Sequence, residues 1–187
     1  MSNSPEQLYA SLRNLHYELQ KKQTAQWNRS LPFEETLFDR WERAKSLGFG
    51  EKSSIYQSSC VYGSVSVGKE TWVGPFTILD GAGGLTIGST CSISAGVQIY
   101  SHDSVQWALS GGLAPYDRAA VVIEDCCYVG AQSIIGKGVT IGHHSVIGAN
   151  SFVSKSLPPY SIAGGTPARI IGQVRITPSG EISLHYE

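Results

Sequence analysis

An aliphatic residue returns at every sixth position through the second half of this chain, as Ile123, Val129, Ile135, Ile141, Ile147 and Val153. The same frame stands upstream in Ile55, Val61, Val67, Val73 and Leu79, and again in Ile87, Ile93 and Ile99. A period of six matches neither the 3.6 of a helix nor the plain alternation of a half-buried strand. It matches a short strand and a turn, repeated so that three units close one triangular coil. Stacked coils then bury each wall's aliphatics as a ladder inside a prism. Glycine follows the aliphatic in Val129-Gly130, Ile135-Gly136, Ile141-Gly142 and Ile147-Gly148, where it is expected to ease the corners.

Bulk properties narrow the partners. The 187 residues suffice for one domain with a small appendage. A formal net charge of -1 offers no basic field for nucleic acid or an anionic membrane surface. No apolar run reaches the length of a membrane span, and the opening MSNSPEQLYASLRNLHYELQKK lacks the apolar centre of a signal peptide, so a cytoplasmic location is expected. Cys60, Cys91, Cys126 and Cys127 lack the spacing of metal ligands or of a disulfide framework, and are expected to be packed, inert thiols.

Three segments follow from the pattern: a helical cap over residues 1–50, the repeat over 51–172, and a strand or hairpin extension over 173–187. Ser4, Pro5 and Gln7 have the pattern of a capped helix start, and the helix is expected over 4–22 with Leu8, Leu12, Leu15 and Leu19 as its apolar stripe. A second helix is expected from Pro32 to Leu47, stopped by Gly48, and both are expected to pack across one end of the prism. The frame breaks twice. Leu79 and Ile87 are eight apart, so Asp80 to Gly84 must bulge by two residues at a corner. Ile99 and Ile123 are twenty-four apart, and the intervening SHDSVQWALSGGLAPYDR fits no coil, so residues 100–121 are expected to leave the prism as a loop. The frame is expected to end at Leu157-Pro158-Pro159, with a late hairpin turning at Pro178-Ser179-Gly180.

The stretch YVGAQSIIGKGVTIGHHSVIGANSFVSKSLPPYSIAGGTPARII, Tyr128 to Ile171, strongly resembles the hexapeptide-repeat acyltransferases. Its terminal signature runs Val153-Ser154-Lys155-Ser156-Leu157-Pro158-Pro159 and then Gly165-Thr166-Pro167-Ala168-Arg169. The branch it is most similar to is that of the maltose, galactoside and nodulation-factor sugar O-acetyltransferases, and the resemblance spans about Ile55 to Gln173. It implies a left-handed parallel β-helix, a homotrimer, and acetyl-CoA lying in a cleft between neighbouring prisms.

Residue by residue, the resemblance implies that His102 is the general base, taking a proton from the acceptor as that group attacks the thioester. An imidazole suits the task because its unperturbed pKa is near neutrality. Asp103 and Glu124 are both candidates to orient its ring. Asp80, in the eight-residue corner, is expected either to bind the acceptor, although an asparagine that the family carries upstream is not evident, or to cap the glycine-rich corner as a turn carboxylate. Trp107 and Tyr116 either stack on a sugar ring or anchor the loop, and Arg118 either steers an anionic group of the acceptor or is simply exposed. On the donor side, Gly130, Ala131 and Ala149 are expected along the pantetheine arm, with Ser154, Lys155 and Arg169 near the nucleotide phosphates.

The favoured activity is therefore acetyl transfer from acetyl-CoA to a hydroxyl of a sugar or polysaccharide precursor. N-acetylation of a nucleotide-linked amino sugar is the first rival; such enzymes commonly carry a separate nucleotide-binding domain, where here only two short helices are read. A non-catalytic scaffold is the second. A prism of the carbonic anhydrase type would need three histidines around zinc, and the adjacent His143 and His144 are expected to diverge along a strand, so no metal is expected.

Overall fold

The computed structural model describes residues 4–187, and in it the six-residue frame is a prism of stacked coils. The first wall stacks Ser54–Ile55, Trp72–Val73, Ser92–Ile93, Tyr128–Val129, Val146–Ile147 and Ser161–Gly165, all parallel. The second wall carries Val61, Leu79, Ile99, Ile135 and Val153 inward, and the third carries Val67, Ile87, Ile123 and Ile141. Two long strands, Cys60–Val67 and Ile78–Ile87, turn the corner between the second and third walls without a break. Every frame residue except the partly buried Val61 is at most 4% exposed, so the ladder is one continuous apolar core. Burying aliphatic side chains of this size contributes about 1.5–3 kcal/mol each, the driving term for stacking.

The corners differ from the expected chemistry in an instructive way. The residue in the left-handed region is the third after the aliphatic: Thr90, Cys126, Gln132, His144 and Asn150 have φ of 57°, 60°, 60°, 57° and 56°. Glycine directly after the aliphatic answers a different need. A Cβ on Gly130 would lie 2.5 Å from the Ala149 nitrogen, and one on Gly142 would lie 2.4 Å from the Pro159 nitrogen, so these glycines admit the next coil's backbone. Gly136 and Gly148 leave ordinary contact distance and carry no such demand.

Both breaks in the frame have clear structural outcomes. Val61 pairs with Leu79 and Val67 with Ile87, and the register shifts after Gly63, so the two extra residues bulge at Ala82 to Gly84. The second break leaves from the same edge. Between wall residues Ile99 and Val121 the chain forms a short strand His102–Asp103, a short helix Val105–Leu109 and a returning strand Asp117–Arg118. The coil does not stop at Pro159, as the pattern suggested. Ser161–Gly165 adds another first-wall strand and buries Ile162 and Ala163 before the chain reverses into Ala168–Ile176 and Ile182–Tyr186. Gly180, at φ 85°, makes the expected turn.

The cap departs from expectation most. Helix α1 (Pro5–Trp27) has the Ser4–Gln7 capping box, but it continues through Lys21 to Trp27 and ends on Asn28 at φ 50°. The Lys, Gln and Ala of that stretch are good helix formers, which a polar reading undervalues. The second helix is two: α2 (Phe33–Leu37) and α3 (Arg40–Ser46), because the Asp39 carboxylate accepts from the amides of Trp41 and Glu42 and starts a new helix. Helix α3 closes the prism's end, burying Ala44 and placing Phe49 in the core, while Arg43 donates to the carbonyls of Tyr56 and Ser59. No residue of helix α1 is fully buried, and Leu8, Leu12 and Leu15 stay 41–51% exposed. No described helix is long and apolar enough to cross a membrane.

Candidate active site

The irregular edge between the second and third walls assembles the polar centre. Asp80 begins the two-residue bulge, and its carboxylate turns inward at 2% exposure. One oxygen accepts from the Ala82 amide at 2.9 Å; the other accepts from the Ser101 amide at 3.1 Å and faces His102 Nδ1 at 2.5 Å. Burial works against ionisation of Asp80, yet the two amides and the imidazole outweigh it and hold the carboxyl below its usual range. An ionised carboxylate only accepts, so the proton sits on Nδ1 and the lone pair is left on Nε2. Only about a third of the His102 side chain is exposed, which leaves the ring supported but reachable.

Neither of the two expected orienting groups holds this ring. Asp103 pairs with Lys137 at 2.9 Å, and Glu124 accepts from the backbone amide of His143 at 2.8 Å. Adjacent residues on a strand face opposite ways, which turns Asp103 from the imidazole that precedes it. Asp80 takes the place because the bulge on the coil below brings it under the histidine, a relation across twenty-two residues. Its bond from the Ala82 amide is the corner cap, the second of the two expected roles, and the carboxylate is engaged rather than open.

The loop folds back over this centre. Tyr116 stacks on the His102 ring with centroids 6.1 Å apart and planes 19° apart, and Trp107 meets Tyr116 edge-on at 5.7 Å. Both aromatics remain more than 40% exposed, so they brace each other and still present free surface. Lys137, on the same edge one coil later, reaches back to Asp103 and Asp117 and ties the loop's base. Sequence reasoning passed over Lys137. Its signal was the pair of acids flanking the excursion, visible only once the hairpin register is known.

The expected donor residues divide between two edges. Gly130, Ala131 and Ala149 lie between the first and second walls, where the Asn150 amide donates to the Ala131 carbonyl, and Arg169 pairs beside Gly164 at the top of that edge. Ser154 and Lys155 lie on the other edge, following Val153 as Gly136 and Lys137 follow Ile135 one coil below. A full wall separates the two groups, so a single prism does not bring His102 and Gly130 together.

Elsewhere, His143 and His144 converge instead of diverging. Their Nδ1 atoms are 3.0 Å apart, because His144 sits at a left-handed corner rather than on a strand, and Tyr160 stacks on His144. Among the described residues no three His, Cys, Asp or Glu side chains are grouped to hold a metal ion. Cys91 and Cys127 are buried as expected, whereas Cys60 and Cys126 are exposed.

Comparison with known proteins agrees with this geometry. Residues 120–155 match the family model described as bacterial transferase hexapeptide (six repeats). A hexapeptide-repeat-containing acetyltransferase from Vibrio cholerae superposes with a TM-score of 0.65 and 30% identity, over 88% of this chain and 91% of that one. An N-acyltransferase from Bacillus cereus, solved as a point mutant with dTDP and coenzyme A, superposes with a TM-score of 0.60 and 25% identity, over 71% and 88% of the two chains. A 2,3,4,5-tetrahydropyridine-2,6-dicarboxylate N-succinyltransferase from Xylella fastidiosa is 38% identical over 94 residues, covering 50% of this chain. The chain spans about a third of that relative's length, 32%. With the ladder, the bulge and the match in agreement, the chain belongs to the bacterial hexapeptide-repeat transferases.

Proposed function

We propose that the protein transfers an acetyl group from acetyl-CoA to a hydroxyl of a sugar or polysaccharide precursor, acting as a homotrimer in the cytoplasm. The observation that carries this reading is the Asp80–His102 contact of 2.5 Å at the mouth of the loop. Asp80 holds Nδ1, so Nε2 can accept the proton of an acceptor hydroxyl as its oxygen attacks the thioester carbonyl carbon. His102 then returns that proton to the departing thiol, which leaves the enzyme unmodified. Acetyl-CoA enters as a substrate and supplies an activated acyl carbon.

The division of donor residues supports a trimer. Gly130, Ala131 and Ala149 put nothing larger than a methyl group on their edge, and Arg169 is exposed at its end. Ser154 and Lys155 are exposed on the His102 edge. Packing the first edge of one copy against the second edge of its neighbour would set all of them around one arm. The Bacillus cereus likeness favours a second reading on the same machinery, N-acylation of a nucleotide-linked amino sugar.

Thiol release from acetyl-CoA, measured against neutral sugars, amino sugars and nucleotide-linked amino sugars, tests both. Hydroxyl acceptors are expected to turn over, and His102→Ala to slow turnover by about a hundredfold or more. Release only with amines would move the assignment to the second reading. No release with any acceptor would remove the transferase assignment.

A further inference from the structure

The hairpin at the base of the loop separates its charges onto two faces. His102 is paired with Arg118 and Asp103 with Asp117. Residues directly opposite in an antiparallel pair project from the same face, and successive residues alternate. One face therefore carries Asp103 and Asp117, a like-charged pair that would repel if left alone. Lys137 from the next coil answers both carboxylates.

The other face carries His102 and Arg118, and it has no such compensation. Among the described residues Arg118 makes no ion pair and no side-chain hydrogen bond. Asp80, the acid of this centre, is buried and committed to Ala82, Ser101 and His102. Arg118 is nonetheless fixed at its root. Its Cβ lies 3.2 Å from where Gly83 would carry a Cβ, so the stem starts against the bulge that supports the histidine. Tyr116, two residues earlier and hence on the same face, stacks on the imidazole. The base, an aromatic plane and the root of an arginine with no side-chain partner among the described residues thus share one face of the hairpin.

We propose that Arg118 recognises an anionic substituent, a carboxylate or a phosphate, on the acceptor presented to His102, so that the preferred acceptor is an acidic or phosphorylated sugar. This rests on the reading of His102 as the acceptor's base. The planar guanidinium can donate two parallel hydrogen bonds to either group, which a neutral sugar cannot match. Tyr116 offers a face for the ring that carries the charge.

The test is equilibrium binding by ligand-observed NMR with glucose, glucuronate, glucose 1-phosphate and a nucleoside diphosphate glucose, run beside the thiol-release assay. The wild type is expected to bind at least one anion about tenfold or more tighter than glucose, the gain of a charge-assisted hydrogen bond. Arg118→Gln should lose that discrimination, Arg118→Lys should keep part of it, and added salt should shrink it. Glucuronate against the two phosphates decides which anion is read. Equal binding of glucose and all three anions, or discrimination that persists in Arg118→Gln, would overturn the proposal. Anion binding lost in Arg118→Gln without thiol release from any acceptor would keep Arg118 as the ligand of the anion but overturn its place in an acceptor site, together with the transferase reading.

Discussion

Two edges flank the second wall, and they were built by different rules. The edge with Gly130, Ala131 and Ala149 is pure repeat: backbone bonded to backbone, and a glycine where a Cβ would lie 2.5 Å from the next coil's nitrogen. The edge with Asp80, His102 and Lys137 interrupts the repeat twice, first with a bulge and then with an excursion. The regular edge exposes a smooth surface and no buried charge. The irregular one places a carboxylate at 2% exposure under an imidazole. The difference teaches that the bulge and the excursion, not the repeat, bring a buried carboxylate and an imidazole together here. Periodicity repeats each environment at every level, whereas a centre needs one level unlike the others.

The sharpest way to break this comparison is at the histidine. His102→Ala is expected to lower kcat by about a hundredfold or more, the usual range for a general base, while thermal unfolding stays near that of the wild type. Mixing His102→Ala subunits with Arg169→Ala subunits then asks whether the two edges cooperate across copies. Reassociated mixtures should recover activity that neither variant has alone. Failure to recover, with trimers formed, would confine each site to one chain.

Next in size is Asp80→Asn, expected to cost about ten- to a hundredfold in rate, because an amide does not fix the tautomer or stabilise the imidazolium. The sign of its pH effect follows from the depressed carboxyl. Its contribution to stability is present above the unfolded carboxylate range and is lost as pH falls through the lower folded value. Acid unfolding followed by circular dichroism should therefore be less steep in Asp80→Asn than in the wild type. Identical acid transitions would mean that the carboxylate is not held as described.

On the regular edge, Gly130→Ala should cost about 1–3 kcal/mol in chemical denaturation, the typical penalty for forcing an extra methyl into a packed position. Gly136→Ala, where the contact is ordinary, should be nearly silent. Equal effects at both positions would deny the distinction between the two kinds of glycine.

The smallest effect is expected at Lys137→Met, read as faster amide exchange in residues 102–118 with little change in global stability. Asp103 is lowered chiefly by its Lys137 contact, and Lys137 is raised chiefly by Asp117 and then by Asp103. The carboxyl's share is lost as pH falls through its depressed folded value; the ammonium's share is lost as pH rises through its elevated one. Loop protection should thus hold across the neutral range and decline only toward both extremes. Replacing both acids by asparagine in the Lys137→Met background should restore protection, since no like-charged pair remains to repel.

How much of this was legible in the chain depended on range. The walls and the two-residue bulge were readable, because a residue buried at each coil must be aliphatic and the count between aliphatics reports the bulge; the loop keeps the count in step with six and was readable only from a segment that fits no coil. Helix starts were readable at Ser4, where the cap lies within one turn. The break at Asp39 was not, since Asp there is an ordinary helix-face residue until its side chain is seen on the amides of Trp41 and Glu42. His102 was named from the family resemblance, but its partner was sought in Asp103 and Glu124 and found one coil below in Asp80.

By itself, then, the sequence determined the prism and its eight-residue corner, because burial and chain connectivity act locally and leave a periodic record; His102 was singled out by the family resemblance. Tertiary structure alone decided that Asp80 supports His102, that Lys137 absorbs both loop acids, and that Arg118 is left uncompensated. Those pairings depend on which corner stacks on which, and the stacking of coils brings together residues whose separation along the chain carries no periodic mark.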